Sequence, residues 1–287
     1  MPTFDTPGPI TVVIEIGVGD ARITATDRTD TVVDVRPSDS GKGDDVRAAE
    51  QARVEYTDGR LLIKASKNWR QYSPFSDGGS VDVTIGLPAG SHLQGSAGIA
   101  AFRGVGRLGD CRVKTAVGDI QLDTTGALDA STATGAIAVD RVMGHAEVST
   151  GSGRIRLGEI DGTAVIKNSN GDSWVGGATG DLRVVASNGD IAVDHADAGV
   201  TASTATGSVR IGDVVRGATS LKTANGDVEV GIRAGTAARL DVYTQFGTVH
   251  NQMDTADGPG PSDQTAEVRA RTGHGDIVIR RSPGRPE

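Results

Sequence analysis

Residues 146–196 read AEVSTGSGRIRLGEIDGTAVIKNSNGDSWVGGATGDLRVVASNGDIAVDHA, and the same arrangement passes three times through a glycine, at Gly153, Gly171 and Gly189. Working outward, Gly118 and Gly135 precede these, and Gly207, Gly226, Gly247 and Gly275 follow. The successive steps are 17, 18, 18, 18, 18, 19, 21 and 28 residues. A period near 18 means one small unit stacked on itself.

Two residues after each glycine stand Ile120, Ile137, Ile155, Ser173, Ile191, Val209, Val228, Val249 and Ile277. Four after stand Leu122, Val139, Leu157, Val175, Val193, Ile211, Val230, Asn251 and Ile279. The columns five and seven residues before are also largely apolar: Val148, Ile166, Val184 and Leu221 in one, Leu128, Leu182, Val200 and Leu240 in the other. Polar residues alternate with them, among them Arg156, Arg210, Lys167 and Lys222. Period-two alternation rich in β-branched residues is the signature of a strand. Each repeat therefore reads as strand, glycine corner, strand. A second glycine at Gly144, Gly162, Gly180 or Gly235 implies a short third side.

A unit this short buries its apolar face only against its neighbours. The expected fold is all-β: a parallel β-solenoid, read as a right-handed β-helix of about nine rungs of roughly 18 residues, with an irregular N-terminal β cap. A left-handed coil of hexapeptide type and a set of antiparallel hairpins fit the same pattern. Seven of nine positions three residues before the glycine are Thr: Thr115, Thr132, Thr150, Thr204, Thr223, Thr244 and Thr272. A column of this kind reads as a hydroxyl ladder of mutually bonded threonines rather than a catalytic residue. No proline occurs between Ala89 and Gly258, which suits continuous strand pairing.

Three segments follow. Residues 1–95 form the irregular β-rich module, with strands expected over 10–16, 21–26, 31–35, 52–56, 61–65 and 81–87 and polar insertions at 37–45 and 68–79. Residues 96–281 hold the repeats, with a loop insertion at 254–264 and a final rung over 266–280. Residues 282–287 read as a disordered tail whose charge and proline blunt the end of the stack.

A net charge of −8 with scattered arginines argues against a nucleic-acid partner. The single cysteine, Cys111, falls in an inward column and reads as a small core residue. The start of the chain has no apolar signal segment, and no run is long enough to span a membrane. On these grounds the expected location is cytoplasmic.

The strings Thr150-Gly151-Ser152-Gly153-Arg154-Ile155, Ser187-Asn188-Gly189-Asp190-Ile191 and Thr223-Ala224-Asn225-Gly226-Asp227-Val228 resemble the bacterial adhesin-like family with β-strand repeats, domain of unknown function 4097. Val83-Thr84-Ile85-Gly86-Leu87-Pro88-Ala89-Gly90 is similar to the strand and turn that precede the repeats in that family. The resemblance spans about residues 10–280. It implies a surface or envelope-stress role, through interaction or sensing rather than chemistry, and it brings no catalytic residues.

Candidate sites are few. Asp119, Asp172, Asp190, Asp227 and Asp276 follow their glycines directly. Asp at a corner accepts backbone N–H bonds, and stacked Asp also binds calcium in β-roll repeats; Asp172 and Asp190, on adjacent rungs, are the metal candidates, with turn chemistry the preferred reading. His92, His145, His195, His250 and His274 show no metal-ligand spacing. Phosphate-loop and nucleophile-elbow motifs are absent. No cofactor is expected. Trp174 and Tyr243 occupy outward positions, and Trp69 and Tyr72 lie in an insertion; these four are the candidate anchors for a protein partner. The reading is a non-enzymatic scaffold that binds another protein. An exported cell-surface adhesin is the first alternative. A carbohydrate-active β-helix enzyme is the second, disfavoured by nine aromatic residues in the whole chain.

Overall fold

The computed structural model describes residues 1–65, 79–254, 260 and 264–282. The chain forms two compact units, Met1–Asp140 and Arg141–Glu287. Rungs are named below by their corner glycine.

In the second unit the strands before the corners are Ala146–Ser152, Ala164–Asn170, Leu182–Asn188, Val200–Thr206 and Gly217–Asn225, each paired in parallel with the next. Those after the corners, Ile155–Ile160, Ser173–Ala178, Ile191–Ala196, Val209–Val214 and Val228–Arg233, pair in parallel in the same order. Val148, Ile166, Val184, Ala202 and Leu221 lie one over another; so do Ile155, Ser173, Ile191, Val209 and Val228. All ten are buried. The repeats are a parallel β-solenoid, and the hairpin alternative is excluded for them.

The expected third side is a bend inside the second strand. The inward spacing changes there from two residues to three, so that Ile155, Leu157 and Ile160 are all buried, as are Val193 with Ala196 and Ile211 with Val214. A register shift between Ile211 and Val214 marks the same place.

The corner explains the recurring glycine, which is replaced by Ala100 on the His92–Arg107 rung. At Gly189 φ is +138°, which side-chain-bearing residues rarely adopt, and a Cβ would stand 2.1 Å from the carbonyl oxygen of Gly171 on the rung before. The threonines serve this corner differently from the expected ladder. The hydroxyls of Thr115, Thr132, Thr204, Thr223, Thr244 and Thr272 each donate to a corner carbonyl on the neighbouring rung rather than to another threonine. Thr204 Oγ1 reaches Gly189 O at 3.2 Å, Thr223 reaches Gly207 O at 2.8 Å and Thr272 reaches Gly226 O at 2.8 Å. Where the column holds Asn168 and then Ala186, Asn168 Nδ2 bridges both sides, to Gly153 O at 3.1 Å and Gly171 O at 2.8 Å. The hydroxyls answer a local need, since the corner turns these carbonyls out of the strand ladder and a buried acceptor requires a donor.

The order of stacking departs from the order of sequence. The strand Gln264–His274 pairs on one side with Gly217–Asn225 and on the other with Thr236–Phe246. Ile277–Ser282 likewise lies between Val228–Arg233 and Val249–Asn251. The Gly275 rung, expected to be terminal, is therefore interior, and the Gly247 rung is outermost among the described residues. Residues 283–287, assigned the role of blunting the edge, lie outside the described residues, as does most of the 254–264 insertion.

The first unit shows the same device. The strand Thr11–Thr26 is a full rung cornered at Gly19, although its sequence surroundings read as irregular. It pairs in parallel with Arg60–Ala65 and Ser80–Pro88 on one side and with His92–Arg107 on the other. Cys111–Val117 and Leu128–Thr134 continue the stack. Beyond the Gly19 rung the pairing turns antiparallel: Asp30–Pro37 joins Ser80–Pro88, Arg53–Thr57 joins Arg60–Ala65, and Thr3–Asp5 joins Asp30–Pro37. A helix, Gly43–Glu50, is an element the sequence reading did not include. Its Asp45 is buried and accepts the N–H of Ser80 at 2.8 Å and of Asp39 at 3.2 Å.

Two predictions follow from the corner and its column. Gly189→Ala is expected to lower stability by about 3 kcal/mol or more in urea unfolding. Gly17→Ala, where a Cβ meets nothing within 4 Å, should stay within about 0.5 kcal/mol of wild type. Thr223→Val should cost about 1–2 kcal/mol by orphaning the Gly207 carbonyl, whereas Thr219→Val should gain roughly 1 kcal/mol, because the buried Thr219 hydroxyl has no partner.

Candidate interaction surfaces

The residue just before each corner points to solvent. In the second unit it is polar on six rungs, as Ser152, Asn170, Asn188, Thr206, Asn225 and His274, all exposed. The exceptions are apolar, and they mark two surfaces.

The first lies in the Met1–Asp140 unit. Val18, Ile99 and Val117 occupy this position on three stacked rungs, in direct register. Ile99 is 54% exposed and Val117 44%. They form the apolar wall of a groove of about 420 Å³, faced by Asp20, Asp82, Ser38 and Ser80. Ser38 donates to Asp82 at 2.7 Å, and Arg22 and Arg103 approach Asp20 at 3.3 and 3.6 Å. The groove thus has one apolar wall and one charged, hydrogen-bonded wall.

The second is the Gly247 rung. Phe246, before the corner, is 58% exposed and stacks on His274 with ring centroids 4.8 Å apart. Tyr243 is 54% exposed with the Arg271 guanidinium 5.8 Å from its ring. Leu240 and Val242, whose counterparts on other rungs are buried, are half-buried here, and Val249 is exposed. Among the described residues no strand pairs with the outer side of this rung.

Trp174 is half-buried. Its ring extends over Gly176, where a Cβ would meet it at 3.1 Å, and the Arg156 guanidinium lies 4.8 Å from its centroid. It is packed into its own surface rather than projecting from it. Trp69 and Tyr72 lie outside the described residues. The Asp column bonds backbone from rung to rung: Asp172 Oδ1 accepts from Asp190 N at 3.1 Å, and Asp190 Oδ1 accepts from Ser208 N at 2.7 Å. Among the described residues no group of three or more His, Cys, Asp or Glu is placed to hold a metal. At the bend, the buried Asp213 accepts from Arg233 Nε at 2.8 Å, with His195 Nδ1 3.6 Å away; guanidinium and carboxylate compensate each other out of water.

Neither Val117 nor Phe246 was singled out from the sequence. The signal was present as a break in the exposed column before the glycine, a column that reads as solvent-facing only once the corner geometry is known.

The family model described as Toastrack DUF4097 matches residues 12–282. No curated protein matches the chain. Among solved structures, it is similar to a "putative adhesin" of Parabacteroides merdae, with 12% identity, 97% of this chain and 94% of that chain covered, and a TM-score of 0.38. A "putative adhesin" of Bacteroides fragilis aligns with 11% identity over 97% of this chain and 95% of that one, TM-score 0.32. A "putative lipid binding protein" of Parabacteroides distasonis aligns with 11% identity over 97% and 95%, TM-score 0.38.

Burial, together with the nearby charge of Asp110, pushes the Cys111 thiol up to about 12 from an ordinary 9.0. The folded value lies above the unfolded one, so the stability this gives is present below pH 9.0 and is lost as pH rises toward about 12. Disulfide-exchange reagents at pH 8 should label the native thiol only after denaturant is added; prompt labelling of the folded protein would contradict the burial described.

Proposed function

The chain belongs to the Toastrack DUF4097 family, and from that premise we propose that it is a non-enzymatic β-solenoid scaffold that holds a segment of another protein in the groove beside Val18, Ile99 and Val117. The observation that carries this reading is the apolar stripe itself. Two neighbouring rungs expose aliphatic side chains, Ile99 and Val117, with the half-buried Val18 beside them on a third, where six rungs of the other unit expose polar ones.

A contiguous exposed apolar strip rimmed by polar groups is the mark of an interaction site. The stripe repeats at the strand spacing of about 4.8 Å, so it presents a row of side chains rather than an isolated pocket. Asp20, Asp82, Ser38 and Ser80 on the facing wall suit a partner segment with one apolar and one polar side. The fold supports this role mechanically. A ladder bonded along its whole length holds the row fixed, so little ordering is left to be done on binding. The chemistry of the described residues fits binding rather than turnover: the one cysteine is a buried thiol, and the Asp column is occupied by backbone N–H groups.

The test is affinity purification from cytosolic and envelope fractions of the source organism, read by mass spectrometry, with wild type beside Ile99→Glu and Val117→Glu. Both changes are at exposed positions and leave the core intact. Proteins enriched by wild type should fall about tenfold with either variant. Equal recovery by all three, or no enrichment, would remove the groove as the binding site.

A further inference from the structure

We infer that the Gly247 rung is the interface through which two copies of this chain pair edge to edge, strand against identical strand, about a twofold axis. The inference concerns a different unit from the groove and stands apart from it.

The open side of the strand Thr236–Phe246 is prepared for pairing. The Gly235 carbonyl accepts from Gln264 N–H at 3.0 Å. Alternate residues from there (Ala237, Arg239, Asp241 and Tyr243) turn their backbone groups toward the neighbouring strand Gln264–His274. Ala238, Leu240 and Val242 turn theirs to the open side. These are also the residues whose side chains belong to the inward columns, and Leu240 and Val242 are half-buried where their counterparts are buried. A strand added at this edge satisfies the backbone groups and closes the apolar file in one step.

Charge selects the occupant and its register. A twofold axis runs identical strands antiparallel. Centred on Leu240, it sets Arg239 opposite Asp241 of the other copy, twice, with Ala238 opposite Val242. Centred on Asp241, it sets that carboxylate against its own copy. Centred on Val242, it leaves Arg239 opposite Gln245 and Asp241 opposite Tyr243. Only the first register pairs opposite charges directly across the strands. Asp241 is 51% exposed at its side chain while bonded to Arg271 at 2.7 Å, so the carboxylate has room for a second guanidinium. The strand is self-complementary, which is what an interface between identical partners demands.

The experiment uses the full-length chain in analytical ultracentrifugation, with circular dichroism to check that each variant folds. Wild type should be dimeric. Arg239→Glu alone and Asp241→Lys alone each set like charges across the axis and should weaken the dimer about tenfold or more. Mixed together, the two variants should recombine, because the glutamate of one meets the lysine of the other and the native Arg–Asp pair remains on the other side of the axis. Three results would each overturn the inference: a monomeric wild type at high micromolar concentration, a dimer indifferent to Arg239→Glu, or two folded variants that fail to associate when mixed.

Discussion

The close approach of each corner glycine to the carbonyl of the neighbouring rung governs this structure. With about 2 Å between that oxygen and any Cβ at Gly135, Gly171, Gly189, Gly207 and Gly226, no other residue fits the stack at its native spacing. The same geometry takes the carbonyl out of the ladder and creates the demand that Thr204, Thr223 and Thr272 meet. The position of the threonines follows from fixing that corner, while the alternation of apolar residues follows from the pleat of the strands on either side of it. Burial of the Val, Ile and Leu files supplies the favourable free energy, but the corner sets where each file lies.

Much of the fold was legible because the environment repeats. A residue at Ile155, Ile191 or Val209 meets the same neighbours above and below, so one physical requirement is written many times over in the chain. The threonine column was visible for the same reason, yet its partner was misread: period and residue type reveal that a hydroxyl is needed, not which acceptor needs it. The stacking order was not legible. The Gly275 rung carries column residues, Ala270, Ile277 and Ile279, that suit a place beside either the Gly226 or the Gly247 rung, and nothing local to the sequence distinguishes them. The helix Gly43–Glu50 is short, and its anchor, Asp45, bonds backbone 35 residues away.

The two surfaces proposed for interaction sit where the repeat is broken. Val18, Ile99, Val117 and Phe246 share one position in the rung, and that position is polar elsewhere because it faces water. An apolar residue there gains nothing from the core. Its recurrence on three stacked rungs, exposed at Ile99 and Val117 and half-buried at Val18, makes a continuous strip rather than a scatter of side chains. Trp174 shows the converse: a large ring at an outward position lies against Gly176 and the Arg156 guanidinium and is half-buried. Outward direction alone does not make a side chain exposed; Ile99 and Val117 are exposed on neighbouring rungs, while Trp174 is half-buried.

The interior position of the Gly275 rung also bears on how the molecule is made. As the ribosome delivers the chain, the segment Thr236–Asn251 emerges before the segment that must lie between it and the Gly226 rung. It can dock there prematurely, in a place it later has to vacate, or wait unsatisfied until residues 264–282 have followed. The C-terminal end is thus assembled in reverse, the outermost layer waiting on the innermost, and its completion depends on contacts far apart in sequence that form late. A chain cut short before residue 264 would lack the insert that seats that layer, so correct docking of the Gly247 rung reports that residues 264–282 are present.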